Sequence, residues 1–228
     1  MTSISSTPLI GVTTHAGHWC PPWWAIAFAI RRAGGKAVRI SPRHPVDLAQ
    51  LDGVVMSGGT DICPQLYGEE PDPTYAYDKS RDALESDVID YVMQQQLPLL
   101  AICRCCQLLN VKLGGALFTD ITRQRKLTSN RSLIHPGKFL FVRPDSLLHR
   151  ITEHERLRIN SLHHQAIREV APGFLISGTD ADGFTQAIES PAHPHLLGVQ
   201  WHPEYLPYMI NQAKLFKWLV KQADARQG

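Results

Sequence analysis

The 228-residue sequence lacks the features that mark membrane proteins, nucleic-acid binders and small secreted domains held by disulfides. No apolar run approaches the roughly 18 residues that a membrane-spanning helix requires. The formal net charge is only +2, from 23 Lys and Arg against 21 Asp and Glu, and no dense basic run is present. We therefore expect neither a nucleic acid nor a membrane surface to be a partner.

Cysteine is scarce and unevenly placed. There are five Cys, an odd number, and three of them lie within four residues, at positions 103, 105 and 106. Disulfide frameworks use paired and widely spaced cysteines, so this clustering predicts a reducing, cytoplasmic setting. The opening segment 1–8 is short and polar, and we expect it to be a frayed terminus rather than a secretory signal.

The composition and pattern suit one large α/β domain, predicted to cover residues 1–228 because no linker rich in Pro, Gly or Ser divides the chain. Hydrophobic residues make up 43% of the chain and charged residues 19%, as in globular proteins. In the first half, strands are predicted at 9–13, 37–40, 53–56 and 99–102, and helices at 23–33, 81–95 and 104–113. This alternation predicts a mostly parallel central sheet with helices on both faces.

The second half has a different pattern. Its predicted strands are short, are separated by turn residues, and lie at 139–142, 174–177, 185–189 and 196–200. A final helix is predicted from about 208 to 225, and the polar segment 122–132 is predicted to be an exposed loop. These strands suggest a small antiparallel β excursion from the parallel sheet.

The candidate nucleophile is Cys103, which stands where an apolar strand runs directly into a helix (LLAICRCCQ, 99–107). A sharp strand–turn–helix junction lifts the side chain at the join out of the sheet. The first free N–H groups of the helix and the helix dipole favour a thiolate and a developing oxyanion. Arg104 adds a permanent positive charge beside the thiol, which favours the thiolate further.

A nucleophilic cysteine needs a base, and the base needs a group that orients it. His202 and Glu204, which follow the last predicted strand, are of the right types. Because the carboxyl ends of parallel strands meet at one crevice, we expect His202 to lie close to Cys103. The loop 57–61 carries two consecutive glycines, which allow backbone N–H groups to approach a ligand. This loop could supply a second oxyanion donor beside the N–H of Arg104.

Taken together, these stretches resemble the class I glutamine amidotransferase-like superfamily, closest to its γ-glutamyl-γ-aminobutyrate hydrolase branch. The matching motifs run in the family's order: SGGTD at 57–61 with Pro64, YGEEP at 67–71, RD at 81–82 with Glu85, ICR at 102–104, QLLN at 107–110, LGG at 113–115, NSLHHQ at 160–165, APG at 171–173 and GVQWHPE at 198–204. The resemblance implies a flavodoxin-like α/β fold and hydrolysis of a γ-glutamyl amide through a thioester.

The same motifs imply a role for each site residue. Cys103 would be the nucleophile, His202 the general base and Glu204 its orienting partner. The backbone N–H groups of Gly59 and Arg104 would form the oxyanion hole. The substrate-binding residues implied by the motifs, with no chemical role assigned to either histidine, are Gly58, Gln107, His163 and His164.

The resemblance implies a small-molecule γ-glutamyl substrate and no organic cofactor, and it leaves a homodimer open. Metal binding by Cys103, Cys105 and Cys106 is the competing interpretation of the cysteine cluster. A C-x-C-C run at a helix start lacks the two paired knuckles of a structural zinc site, so no metal is expected.

One part of the nucleophile motif departs from the family. The family's sequence there is Gly-Ile-Cys-Arg-Gly, whereas this chain has Ala101 and Cys105 at the two glycine positions. Cys105 is larger than glycine and enters a tight place, so it could shift the nucleophile or crowd the pocket. Two alternatives to a free-standing hydrolase therefore stay open: a glutaminase subunit that delivers ammonia to a partner synthase, and a catalytically impaired binding or regulatory homologue.

Overall fold

A computed structural model describes residues 6–74 and 76–227 of the chain. The first five residues of the segment predicted to be frayed lie outside this range. In chain order the strands are β1 Leu9–Thr13, β2 Lys36–Ile40, β3 Gly53–Met56, β4 Leu99–Ile102, β5 Ala116–Phe118, β6 Leu133–Val142, β7 Arg156–Ser161, β8 Ala166–Glu169, β9 Leu175–Asp180, β10 Thr185–Ser190 and β11 His193–Val199. The α-helices are α1 Pro21–Arg32, α2 Lys79–Gln95, α3 Arg104–Lys112, α4 Leu147–Thr152 and α5 Ile210–Asp224.

Five parallel strands form the centre of the sheet, in the order β2-β1-β3-β4-β11. Every residue of β3 and β4 is buried, which is why these strands are continuous apolar runs rather than alternating ones. The register pairs Val54 with Leu99 and Gly198 with Ala101. The carboxyl ends of β3, β4 and β11 therefore lie side by side at one edge. The predicted parallel centre is confirmed.

The second half continues the same sheet with antiparallel pairing. Beyond β11 the order is β10-β9-β6-β7, and β8 pairs with both β10 and β5. This part is larger than the small excursion predicted from the sequence. Strands β5, β7 and β8 were not predicted, because they are short and lack long apolar runs. One face of β6 is open to solvent: Phe139 and Phe141 are exposed, whereas Leu140 and Val142 are buried.

Helices cover both faces of the parallel strands. Val55 and Leu100 pack with α1 and α5 in one apolar cluster. Val54 and Leu99 belong to a second cluster, which contains α2 and α3 on the opposite face. Adjacent residues of a strand point to opposite faces, so each buried strand contributes to both clusters. The predicted two-sided covering is confirmed.

The predicted element boundaries differ most at the start of β6, which begins at Leu133 rather than at 139, and by two or three residues at the starts of β11, α1 and α2. Helix α1 begins at Pro21, two residues before the predicted start at 23, because proline suits the first helical turn. Helix α2 begins at residue 79, where the Asp78 side chain accepts the N–H of Arg81. The polar loop 122–132 contains no helix or strand, but Arg125 is buried in it and pairs with Asp180 at 3.0 Å.

Helix α4 was not expected from the sequence. Its six residues make fewer than two helical turns, so their sequence is too short to show a helical period that distinguishes it from a loop. In the described part of the chain, no helix has the length and apolarity required to cross a membrane.

Candidate active site

Cys103 lies directly between β4 and α3, and its backbone makes the sharp turn that joins the strand to the helix. Its φ is +50° and its ψ is −107°, in a region that residues with a side chain rarely adopt. The turn is held on both sides: the Cys103 N–H donates to the Val199 carbonyl at 2.7 Å, and the Gln107 N–H donates to the Cys103 carbonyl at 3.1 Å. The strained residue is therefore the one predicted to be the nucleophile.

His202 follows β11 and is fixed by its neighbours. Its Nδ1 hydrogen-bonds Oε1 of Glu204 at 2.7 Å. The Asn160 side chain holds the backbone from the side, because its Oδ1 accepts the His202 N–H and its Nδ2 donates to the His202 carbonyl, both at 2.8 Å. The Tyr205 ring stacks on the imidazole with centroids 5.3 Å apart. With Nδ1 engaged, Nε2 is the nitrogen left for chemistry.

The ring of His202 interacts with the Cys103 side chain, which joins the two parts of the site. Burial alone would lower the pKa of His202, but the Glu204 carboxylate and the Cys103 sulfur together raise this pKa well above its usual value. A protonated imidazole is therefore favoured beside the sulfur. Gln200 supports the sulfur from another side, since its Nε2 donates to Cys103 Sγ at 3.5 Å while its Oε1 accepts from Gln107 Nε2 at 3.1 Å.

The glycine loop after β3 passes close to these groups. A Cβ on Gly58 would overlap Cε1 of His202, and a Cβ on Gly59 would overlap a guanidinium nitrogen of Arg81. No other residue fits either position without displacing its neighbour. The two glycines thus let the loop pass between the imidazole and the guanidinium, and they bring the Gly59 backbone to the pocket beside Cys103.

A buried ion cluster lies beneath the glycine loop and the start of α3. It consists of Arg81, Asp82, Glu85 and Arg104, none of which is more than 4% exposed. Arg81 pairs with Glu85 at 2.8 Å, and Arg104 pairs with both Glu85 and Asp82. Although burial opposes the ionised carboxylate, Arg81 and Arg104 hold the pKa of Glu85 below its usual value.

The loop after β7 forms the opposite wall of the pocket. Residues 162–165 line it together with Cys103 and Gln107, and the cavity between them is small, about 30 Å³. Nδ1 of His163 donates to the Gln165 carbonyl at 2.7 Å. Burial, with smaller effects from nearby cations, lowers the pKa of His163 to about 3. His163 is therefore neutral, with Nε2 as an unprotonated acceptor.

His164 lies further out than His163. Its Nε2 contacts Oδ2 of Asp61 at 3.0 Å, and the side chain is about half exposed. The hydrogen bond that His164 donates to the Asp61 carboxylate raises the pKa of His164. This ion pair joins the loop after β7 to the glycine loop at the mouth of the pocket.

Cys105, the departure from the family motif, does not line this pocket. It is fully buried in the cluster on the α2–α3 face, with its sulfur 3.7 Å from Nη1 of Arg104. Cys106 packs on the same face against Gly198. Burial raises the pKa of both thiols, so neither is a competing nucleophile. Within residues 6–74 and 76–227, no three His, Cys, Asp or Glu side chains are grouped to hold a metal ion.

The family model described as Peptidase C26 matches residues 8–204, which include Cys103, His202 and Glu204. The chain belongs to the Peptidase C26 family. It therefore belongs to the class I glutamine amidotransferase-like superfamily, and its relatives support a hydrolase.

Individual similar proteins span most of the chain. Protein NtpR of Enterococcus hirae is 39% identical over 208 residues, covering 85% of this chain and 86% of that protein. The γ-glutamyl-γ-aminobutyrate hydrolase PuuD of Escherichia coli is 33% identical over 168 residues, covering 69% of this chain and 66% of that protein. A crystal structure of a glutamine amidotransferase from Thermotoga maritima superposes with a TM-score of 0.64 over 97% of this chain and 98% of that one, at 15% identity. This last likeness shows the fold.

The structure places the predicted site residues of this Peptidase C26 chain around one pocket. Those that line it are Gly59, Cys103, Arg104, Gln107, His163 and His164. His202 contacts Cys103, and Gly58 and Glu204 in turn contact His202. Sequence reasoning gave no role to Asn160, Gln165 and Gln200, or to Arg81, Asp82 and Glu85 of the buried ion cluster. Gln200 could have been predicted from the sequence. It directly follows β11 and stands two residues before His202, so both side chains are expected at the same edge of the sheet.

Proposed function

We propose that the chain is a cysteine-dependent hydrolase that cleaves a γ-glutamyl amide bond through a thioester intermediate. The observation that carries the proposal is the position of Cys103, whose strained strand-to-helix junction sets the sulfur beside the ring of His202. A thiol next to an imidazole that is itself held by a carboxylate, here Glu204, is the arrangement that activates a cysteine nucleophile.

The geometry supports a two-step reaction. Sγ of Cys103 attacks the amide carbonyl carbon, and the carbonyl oxygen becomes an oxyanion that accepts the backbone N–H groups of Gly59 and Arg104. The Nε2 proton of His202 passes to the leaving nitrogen as the C–N bond breaks, which leaves a thioester. Neutral His202 then takes a proton from water, and the hydroxide attacks the thioester to release the carboxylic acid and the thiol.

The wall opposite Cys103 supports an amino-acid-like substrate. Nε2 of His163 and Oε1 of Gln165 are buried and have no hydrogen-bond partner within the described residues. Both side chains line the pocket with Gln107, and both unpartnered atoms are acceptors. A γ-glutamyl group carries an α-ammonium, which is the donor that two such acceptors would bind. In this proposal Gln107 and His163 hold the glutamyl part.

Substrate entry requires the loop 162–165 to move, because a cavity of about 30 Å³ holds little more than a water molecule. The contact between His164 and Asp61 crosses the mouth of the pocket and would open during this movement. Gly58 keeps the space beside the imidazole free of a side chain while the substrate enters. The match to the γ-glutamyl-γ-aminobutyrate hydrolase of Escherichia coli supports the same substrate class.

The test is replacement of the nucleophile. Cys103→Ala and Cys103→Ser should keep the circular-dichroism spectrum and melting temperature near those of the parent, and should lower hydrolysis of γ-glutamyl amides at least about a thousandfold. Cys63→Ala is the matched control, since Cys63 is also a buried free cysteine. It should keep full activity. Undiminished hydrolysis by Cys103→Ala would overturn the proposal.

A glutaminase subunit is the second candidate, and an exposed aromatic surface favours it. Trp19 contacts Trp24, the Arg32 guanidinium lies over Phe28, and Ile210 lies across a groove from Arg32. Trp24 is 46%, Phe28 53% and Ile210 76% exposed. Aromatic residues and arginine are enriched at protein interfaces. Rapid hydrolysis of substituted γ-glutamyl amines by the isolated chain supports the first candidate, and slow hydrolysis of glutamine alone supports the second.

A further inference from the structure

The buried ion cluster connects the two groups proposed to bind the oxyanion. Glu85 is its centre: Oε1 accepts from Nε of Arg81 at 2.8 Å and from the Thr13 hydroxyl at 2.7 Å, and Oε2 accepts from Arg104. Asp82 accepts from Arg104 and from the Cys63 N–H. Two cations and two anions give the cluster no net charge, so its charges can be buried together.

Arg81 holds the glycine loop by its carbonyl groups. Its Nη2 donates to the Ser57 carbonyl at 3.0 Å, to the Ser57 hydroxyl at 3.1 Å and to the Gly58 carbonyl at 3.1 Å. The peptide bond between Gly58 and Gly59 is planar and trans, so its C=O and N–H point in opposite directions. The bond to the Gly58 carbonyl therefore turns the Gly59 N–H away from Arg81, and Gly59 lines the pocket beside Cys103.

Arg104 supplies the second donor and is held by the same carboxylate. It is the first residue of α3, so its backbone N–H has no partner within the helix. Its side chain runs back from the helix start to Glu85 and Asp82 and is 1% exposed. The side chain therefore anchors the residue whose backbone N–H is proposed to bind the oxyanion.

Stability alone is a poor reason to bury such a cluster. Replacing a buried ion network by well-packed apolar residues is often neutral or stabilising. Rigid donors that need no rearrangement when charge develops are, in contrast, a large source of catalysis. A network that fixes two backbone segments from one carboxylate has the geometry for that purpose.

We propose that Glu85 and Arg81 are positioning residues that fix the two oxyanion donors, the N–H groups of Gly59 and Arg104, in one geometry. This inference rests on the proposed hydrolase function. It predicts that loosening the cluster slows acyl transfer while the activation of Cys103 by His202 stays intact, because the hydrogen bonds that hold His202 come from Asn160 and Glu204 and not from the cluster.

The experiment separates these two properties. Arg81→Lys keeps the charge but cannot bond Glu85 and the loop carbonyls together, and it should lower kcat about 10- to 100-fold with KM changed by less than about threefold. Alkylation of Cys103 by iodoacetamide, which forms no oxyanion, should keep its rate. Glu85→Gln should likewise lower kcat and leave the alkylation rate of Cys103 unchanged. The milder Thr13→Val, which removes one hydroxyl from Glu85, should lower kcat about threefold.

The matched control is Arg125→Lys, which alters a buried arginine in another ion pair, with Asp180. It should lower stability to a similar degree and leave kcat unchanged. The inference is overturned if Arg81→Lys and Thr13→Val keep the parent kcat, or if alkylation and kcat fall in parallel in each variant that folds. Failure of the hydrolase function itself is a distinct result, since Cys103→Ala would then remain active.

Discussion

The two walls of the pocket differ in how their polar groups are satisfied. The catalytic wall consists of the glycine loop and the start of α3, with His202 beside Cys103, and its reactive groups have fixed partners: Gln200 on the sulfur, Glu204 on the imidazole and Arg81 on the loop carbonyls. Two buried atoms on this side also lack a partner within the described residues, Nε of Arg104 and Oε2 of Glu204, but neither belongs to a group proposed to hold the glutamyl part. The loop wall, residues 162–165, keeps buried acceptors that have no partner within the described residues.

This difference suggests that one wall serves catalysis and the other serves substrate recognition. A buried acceptor without a donor costs about 1–3 kcal/mol, which a protein recovers when a ligand supplies the donor. The catalytic wall comes from the ends of parallel strands, and in the proposed function it is organised before substrate binds. The loop wall comes from the antiparallel half, and in the proposed function it becomes complete only with substrate. Changes to the first wall should therefore affect kcat, and changes to the second should affect recognition.

The largest effect is expected in the catalytic wall, from Glu204→Gln. The amide can still accept the Nδ1 proton of His202, but the negative charge that raises the pKa of His202 is lost. We expect kcat to fall on the order of a thousandfold with little change in KM. The control is Glu155→Gln, an exposed glutamate outside the site. A fall of less than about threefold would contradict the role given to the carboxylate.

An intermediate effect is expected in the loop wall, from Gln165→Leu and His163→Leu. Each removes one acceptor for the α-ammonium, so kcat/KM for a γ-glutamyl amide should fall about 10- to 100-fold. The same variants should hydrolyse the glutaryl analogue, which has no amino group, as well as the parent does. The exposed His135→Leu is the control. If each variant still distinguishes the two substrates as the parent does, the recognition role is wrong.

The smallest effect concerns stability against pH. Burial lowers the pKa of His163 from 6.5 to about 3, so the unfolded chain binds more protons than the folded one between these values. The stability that His163 contributes is present above pH 6.5 and is lost as the pH falls toward 3. His202 has a raised pKa, and its contribution is present below pH 6.5 and lost as the pH rises through the raised value.

Urea unfolding at pH 7 and pH 5 measures the His163 contribution. Between pH 7 and pH 5 the free energy of unfolding of the parent should fall by up to about 2 kcal/mol more than that of His163→Leu. The contribution of His202 has the opposite sign and is the same in both proteins, so it cancels in the difference. Equal losses in the two proteins would show that His163 is already accessible to water and protons in the folded state.

The same two regions differ in how far the sequence predicts them. Strands β3 and β4 have the predicted bounds, because a strand buried on both faces must be a continuous apolar run between breakers. Strands β7 and β8 were missed, since RLRINS is mostly polar and AIRE has only four residues. They are held by cross-strand pairing, which depends on neighbours that are distant in the sequence.

The site follows the same rule. Cys103, His202 and Glu204 could be predicted because they follow the ends of β4 and β11 within recognisable motifs. The contacts of Arg81 with Ser57, and of Gln200 with Cys103, join residues 24 and 97 positions apart, so no local pattern reports them. Likewise, only the structure shows that Cys105 points into the opposite cluster and leaves the pocket clear.

The central claim is that Cys103 forms the covalent bond to the substrate. Rapid mixing with a γ-glutamyl amide, an acid quench and mass spectrometry of the intact chain test it most directly. We predict a gain of one γ-glutamyl group, mapped to the peptide that contains Cys103, released by hydroxylamine and absent in Cys103→Ser. A γ-glutamyl group attached to another residue, or substrate turnover at the parent rate by Cys103→Ser, would contradict the claim.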